Sequence, residues 1–177
     1  PRLIVRFGYS PHEALERYVA RLDQLGFSTR RRWENPPWHR APVFCGWGEQ
    51  CRLARSRGVP ARDLCTQANY QRWIRVLEQR RLPFGVIVID DKWQAGYGSF
   101  EIDRAKWPDM AGFVRREHRK GRHVLLWVPT YHSEGVPAKL CVENEDGKRY
   151  ADVSHPAYQR SLRARIRHLV RDVGIDG

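Results

Sequence analysis

The chain has 177 residues, enough for one domain of ordinary size, and its 41% apolar and 11% aromatic content suits a packed core and excludes a disordered tail. A formal charge of +12 and a pI near 10.1 raise nucleic-acid binding, but 27 Arg and 5 Lys are scattered along almost every segment. The only run of three is Arg30 to Arg32, and no basic stripe alternates with aromatics as single-strand binding requires. These cations therefore read as solvated helix faces. No apolar run approaches the roughly 18–20 residues of a membrane span, and no charged n-region precedes an apolar h-region.

The first predicted helix opens at Ser10, which forms a capping box with Glu13 and has Pro11 at the first helical position. Leu15, Tyr18, Val19, Leu22 and Leu25 follow at helical spacing, and Gly26 stops the run. Residues 28–41 read as an irregular connection containing Trp33, Pro36, Pro37 and Trp38. Val43 to Trp47 is a short apolar strand, and residues 48–65 read as a long loop. Thr66 caps a helix whose buried face is Tyr70, Trp73, Ile74 and Leu77. Gly85 to Ile89 is a nearly unbroken β-branched run, as in a strand buried on both faces of a parallel sheet, and it ends in Asp90-Asp91. A loop rich in Gly and aromatics runs to Pro108. Asp109 then caps a helix carrying Met110, Phe113 and Val114, closed by Gly121. His123 to Val128 is a third buried strand. After a second long loop, Pro156 opens a helix with Tyr158, Leu162, Ile166, Leu169 and Val170; Gly174 ends it, and Ile175 begins a fourth strand.

Strands and helices thus alternate, which predicts an α/β fold of βα units with a parallel sheet. A doubly wound sheet and a barrel both satisfy that alternation. One asymmetry favours the barrel: connections from strand to helix are long and rich in Trp, Tyr, Gly, Asp and Glu, whereas those from helix to strand are short. Barrel enzymes carry their sites on the strand-to-helix loops. No glycine-rich phosphate fingerprint follows the first strand, which argues against a nucleotide-binding sheet. The expected organisation is a linker and helix over 1–41 and the N-terminal half of a (β/α)₈ TIM barrel over 42–177. About three and a half units do not close a barrel of eight.

Two adjacent carboxylates, Asp90 and Asp91, sit where an apolar strand meets its loop, so they are expected at the barrel mouth. Charged acceptors there suit sugar hydroxyls, although a helix cap or an ion pair with Lys92 or a nearby Arg is the plainer alternative. Trp47, Trp93 and Trp127 lie at or just past three successive strand ends, and flat indoles suit the C–H faces of pyranose rings. Core packing is the alternative for each. Among the loop carboxylates, Glu101 and Asp103 are expected to hold the loop or pair with Arg104 and Lys106, while Glu134 is a candidate for facing the ligand. Cys45, Cys51, Cys65 and Cys141 form no C-x-x-C pair, so they are expected to be reduced thiols in a cytoplasmic protein. His118 and His123 flank a helix end and read as structural. No metal or organic cofactor is implied.

The segments 42–47 (PVFCGW), 88–94 (VIDDKWQ), 103–109 (with Asp103, Lys106, Trp107 and Asp109), His118 with Gly121, 125–127 (LLW) and 174–177 (GIDG) occur in an order that resembles the melibiase-type α-galactosidases, glycoside hydrolase family 36 and relatives. Looser likeness extends to the family 31 α-glucosidases, which share the barrel and the retaining mechanism. The resemblance implies a retaining glycosidase cleaving terminal α-linked sugars, most directly α-galactosides, with one nucleophilic and one acid/base carboxyl group. It places both beyond Gly177, so no catalytic residue is expected in the chain and Asp176 is not the nucleophile. By the same resemblance Asp90 and Asp91 bind hydroxyls of the terminal sugar, Trp47, Trp93 and Trp127 shape that subsite, and 1–41 links an N-terminal β-sandwich to the barrel. Lys92 replaces the Gly of Asp-Asp-Gly-Trp, a departure that points to a divergent subgroup. The alternatives are a family 31-like α-glucosidase or α-xylosidase, or a transglycosylase of the raffinose-synthase kind. A basic nucleic-acid-binding protein is the alternative from a different class. The expected partner is an oligosaccharide or glycoside substrate, with neither nucleic acid nor membrane.

Overall fold

The computed structural model describes residues 5–27 and 36–177; Trp33 and the Arg30 to Arg32 run lie outside the described residues. The chain divides into two units, 1–36 and 37–177. The first contains α1 (Pro11–Gln24). Its N-terminus closes as the sequence requires: the Glu13 N–H donates to Ser10 Oγ (3.2 Å), and the Tyr9 N–H donates back to Glu13 Oε2 (2.7 Å). None of its residues is buried, so the stripe of Leu15, Tyr18 and Val19 is uncovered.

The second unit begins with a 3₁₀ turn at Pro37–Arg40 and enters β1 (Val43–Cys45). Then come α2 (Trp47–Arg57), α3 (Gln67–Gln79), β2 (Val86–Ile89), α4 (Met110–His118) and β3 (His123–Leu126). A short antiparallel hairpin of β4 (Cys141–Glu143) and β5 (Arg149–Ala151) decorates the next loop, and α5 (Pro156–His168) ends in a π turn at Leu169–Val173. The main sheet is parallel with order β1-β2-β3. The fourth segment continues it: the Asp176 N–H donates to the Val124 C=O (2.9 Å), and the Leu126 N–H donates to the Gly177 C=O (2.9 Å). Strands therefore add in sequence order with no reversal. That is how a (β/α)₈ barrel grows, whereas a doubly wound sheet turns back at a switch point.

Register assigns the two faces. Phe44 pairs with Ile87, and Ile87 with Val124, so these share the face covered by helices. There Ile87, Ile89 and Val124 pack with Tyr70, Trp73, Ile74, Trp107, Met110, Phe113 and Val114. The other face carries Val43, Cys45, Val88 and Leu125; Val43 is 60% exposed. A purely parallel sheet is normally covered on both sides, and in a barrel this second face is the interior. Exposed Arg side chains occur on both α2 (Arg52, Arg55, Arg57) and α5 (Arg160, Arg163, Arg167). Among the described residues no helix is long and apolar enough to cross a membrane.

The predicted loop at 48–65 is instead α2 followed by a 3₁₀ turn at Ala61–Leu64. Only Gln50 and Ala54 of α2 are buried, so no apolar stripe announces it; Gly58, at φ 66°, ends it in the left-handed region. The hairpin also lies in a predicted loop, because three-residue strands carry almost no periodicity. Its turn is nevertheless written in the sequence, with Asn144 Oδ1 accepting from the Lys148 N–H (2.8 Å) and Gly147 at φ 74°.

Candidate active site

The ends of β1, β2 and β3 form one mouth. On β2 the side-chain alternation carries Val88 and then Asp90 toward the barrel interior, beside Cys45 of β1. Every polar group of Asp90 is engaged. Its Oδ2 accepts from Cys45 Sγ (3.0 Å), and its Oδ1 accepts from the Asp91 N–H (2.7 Å). Its N–H donates to Tyr70 Oη (2.8 Å), and its C=O accepts from Cys65 Sγ (3.3 Å). Tyr70 is fully buried, with its hydroxyl 3.2 Å from both Gln50 Oε1 and the Val88 C=O. Gly46 is obligatory beside it, because a Cβ there would stand 2.0 Å from the Tyr70 hydroxyl. Gln50, also fully buried, donates to the C=O groups of Asp91 (3.1 Å) and Ala61 (3.2 Å). The carboxylate pair is thus anchored from the helix layer through α2 and α3.

Asp91 differs from its neighbour. Its Oδ1 is buried and has no hydrogen-bond partner. A buried carboxylate oxygen without a donor is costly, and a ligand hydroxyl is the kind of group that relieves that cost. The Tyr97 phenol faces Asp91; burial first, and then the hydrogen bond to that carboxylate, push its pKa up. Lys92 sits at φ 73° in the left-handed region, an uncommon state for a side-chain-bearing residue that costs roughly 1–2 kcal/mol. Phe100 in the same loop is also left-handed, at φ 54°.

Lys92 makes an ion pair with Glu134 from the loop after β3 and stands 4.0 Å from the centre of the Tyr97 ring. Glu134 also accepts from the Tyr97 N–H (3.0 Å). Burial works against its charge, but the Lys92 ammonium and that N–H outweigh it and hold Glu134 below the usual carboxylate range. Tyr97 packs at a tilt against His132, with ring centres 4.5 Å apart, and meets Trp127 edge-on at 6.2 Å.

The three tryptophans divide. Trp47 starts α2, Trp127 follows β3, and each is 40% exposed at the mouth. Trp93 is fully buried, so its ring does not line the mouth as expected from its place past the strand. Its Nε1 donates to the Trp127 C=O (2.7 Å), which makes it the support beneath Trp127. The left-handed turn at Lys92 redirects the chain and drives the next side chain into the core. Among the described residues, Asp90 and Asp91 form an ion pair with neither Lys92 nor an Arg; Lys92 pairs with Glu134. Glu101 pairs with Arg165 (2.5 Å), a long-range partner that sequence spacing does not suggest, while Asp103 caps its own turn through the Ala105 and Lys106 N–H groups. Sequence reasoning missed Cys45, Gln50, Tyr70 and Tyr97 as contributors. Tyr70 was legible only as a core residue, and nothing in the local pattern marked Gln50.

At the opposite end of the sheet, Asp176 faces His118 Nε2 (2.8 Å) and His123 Nδ1 (2.9 Å) and accepts from the Val124 N–H (2.7 Å). Trp38 stacks on His123 at 4.5 Å. Among the described residues no group of three His, Cys, Asp or Glu side chains is arranged to hold a metal ion. All four cysteines are free thiols.

Residues 50–177 match the family described as "Glycosyl hydrolases family 31 TIM-barrel domain". The chain is 29% identical over 112 residues to a myogenesis-regulating glycosidase of Mus musculus, covering 52% of the chain and 16% of that protein. It is 26% identical over 125 residues to the alpha-xylosidase XylQ of Lactiplantibacillus pentosus, covering 59% of the chain and again 16% of the relative. The chain therefore spans about a sixth of the length of these curated relatives. Among solved structures, the cycloalternan-degrading enzyme from Trueperella pyogenes superposes with a TM-score of 0.60 at 19% identity, over 97% of this chain and 27% of that one. A xylosidase from Aspergillus niger superposes at 0.51 with 20% identity, over 62% and 18% respectively. These likenesses correct the family expectation: they lie with family 31, the looser of the two resemblances, and not specifically with the family 36 galactosidases. The motifs shared by the two barrels explain why the sequence pointed to both, and the chain belongs to the TIM-barrel domain family of the family 31 glycosyl hydrolases.

Proposed function

We propose that the protein is a retaining α-glycosidase of the α-xylosidase or α-glucosidase kind, in which Asp90 and Asp91 bind hydroxyls of the terminal sugar. One observation carries this function: within the segment matched by the family 31 barrel, a carboxylate pair ends β2 at the mouth, and Asp91 Oδ1 is buried without a donor. Trp47, Trp127 and Tyr97 supply aromatic surface around it, with Trp93 fixing Trp127 from below. The xylosidase and glucosidase chemistry is favoured over α-galactoside cleavage by the likeness to XylQ. The proposed role of residues 1–177 is to bind and orient the sugar. The nucleophile and the acid/base group are assigned to none of them, and in this proposal they lie beyond Gly177.

The test uses the complete gene product with aryl α-xyloside, α-glucoside and α-galactoside, following the anomer released by NMR. Turnover of the xyloside or glucoside with retained configuration is expected. Turnover of the galactoside alone reinstates the family 36 specificity, and an inverted product removes the retaining mechanism. Net transfer to an added acceptor sugar in place of hydrolysis makes the protein a transglycosylase.

A further inference from the structure

We propose that Cys45 is a positioning residue for Asp90, its thiol fixing the carboxylate across the β1–β2 ladder so that the free face of Oδ2 is presented to the sugar; this rests on the glycosidase function proposed above. Cys45 is the register partner of Val88, two residues before Asp90, so thiol and carboxylate rise from neighbouring strands on the same interior face. Cys45 Sγ lies 3.0 Å from Asp90 Oδ2.

The other three polar groups of Asp90 are held from elsewhere: the N–H by Tyr70, the C=O by Cys65 and Oδ1 by the Asp91 N–H. Tyr70 and Cys65 are fully buried and fix the backbone from the helix side. Among the described residues only Cys45 restrains Oδ2, and it reaches that oxygen from the exposed side of the sheet. A carboxylate oxygen has two lone-pair directions, so Oδ2 can accept from the thiol and from a ligand hydroxyl together. Burial and the adjacent Asp90 carboxylate push the Cys45 thiol up to about 11, so the proton remains on sulfur at neutral pH and the hydrogen bond keeps its direction.

Two measurements on the complete gene product test this. In steady-state kinetics on the best aryl α-glycoside, Cys45→Ala is expected to raise KM about three- to tenfold with kcat kept within about twofold, as loss of a weak donor to a charged acceptor implies. Cys45→Ser restores a donor and is expected to bring KM back. Cys51→Ala, a thiol on α2 outside the mouth, leaves KM unchanged. Independently of turnover, alkylation of Cys45 by iodoacetamide at pH 8, read by peptide mass mapping, is expected to speed up about tenfold in Asp90→Asn, because the neighbouring negative charge is gone.

A parental KM in Cys45→Ala, alongside loss of activity in Asp90→Asn, overturns the positioning role and leaves the glycosidase function standing. Unchanged alkylation in Asp90→Asn overturns the thiol–carboxylate hydrogen bond. A parent protein that turns over no aryl α-glycoside overturns the glycosidase function and the positioning role with it.

Discussion

Two aspartates sit at opposite ends of the same sheet, and the protein treats them differently. Asp176, at the end where β3 starts, is surrounded by His118, His123 and the Val124 N–H, with Trp38 stacked over His123. Both of its oxygens are satisfied by the chain itself. Asp91, at the end where β2 stops, keeps a buried oxygen with no donor. A carboxylate saturated by its own fold contributes to stability, whereas one left partly unsatisfied beside aromatic side chains is equipped to receive a ligand. The asymmetry follows the division of labour in barrel enzymes, where the C-terminal strand ends carry chemistry and the N-terminal ends carry stability.

Exchange of the two roles by mutation breaks the comparison most directly. Asp91→Ala in the complete gene product is expected to lower kcat/KM by about 10³-fold or more, as removal of a buried acceptor from a polar sugar site does. Asp176→Ala is expected to leave kcat/KM of the folded protein within about twofold. Comparable losses in both variants would dissolve the distinction. Stability should show the reverse order: Asp176→Ala is expected to cost about 2 kcal/mol in a denaturant titration at pH 7. Burial opposes the charge on Asp176, but hydrogen bonds from His123, the Val124 N–H and His118 outweigh it and hold its pKa below the ordinary 3.8. A depressed folded-state pKa contributes stability that is complete above the unfolded value and lost as pH falls through the folded one. The gap between parent and variant should therefore be constant from neutral pH down to about 4 and shrink below it. A gap that grows on acidification would mean that the histidines, and not Asp176, dominate that end.

How far the sequence discloses each end depends on the range of the interactions. A continuous β-branched run makes β2 legible and an apolar run makes β3 legible, while Thr66 and Asp109 mark the starts of α3 and α4 because caps are local. Asp90 and Asp91 were legible as mouth residues from their position alone. The helix α2 was not, because it buries Gln50 and Ala54 where an apolar stripe would be the signal. Trp93 is fully buried although it lies just past the strand end, because closeness to a strand end does not fix which way a side chain points once the backbone turns left-handed at Lys92. Three partners of Asp90, namely Tyr70, Cys65 and Cys45, come from 20 to 45 positions away, and no spacing rule reaches that far.

The tryptophans offer a finer version of the same contrast. Trp127→Ala removes an exposed mouth ring and is expected to raise KM about tenfold with little change in melting temperature. Trp93→Phe keeps the buried ring but deletes the 2.7 Å bond to the Trp127 carbonyl. It is expected to cost about 1 kcal/mol of stability and to raise KM less than Trp127→Ala does. If Trp93→Phe raises KM as much as Trp127→Ala with no loss of stability, Trp93 acts on the sugar directly.

The smallest effect concerns the ion pair that joins the two loops of the mouth. Lys92 is mostly buried and its partner Glu134 is 45% exposed, so the pair is partly screened and its net contribution is on the order of 0.5 kcal/mol. Glu134→Gln is therefore expected to change stability by no more than that. Its larger consequence is local: Glu134 also accepts from the Tyr97 N–H, and Tyr97 in turn packs against Trp127 and His132. Slackening that contact should appear as a rise in KM of about two- to threefold, smaller than for Trp127→Ala. Because Glu134 is held below the usual carboxylate range, the parent should keep its low KM to a more acidic pH than an ordinary glutamate would permit. The KM of the Gln variant should be flat across the same range. A parental KM that rises near the ordinary glutamate pKa, about 4.3, would show that Lys92 does not govern Glu134 in the working protein.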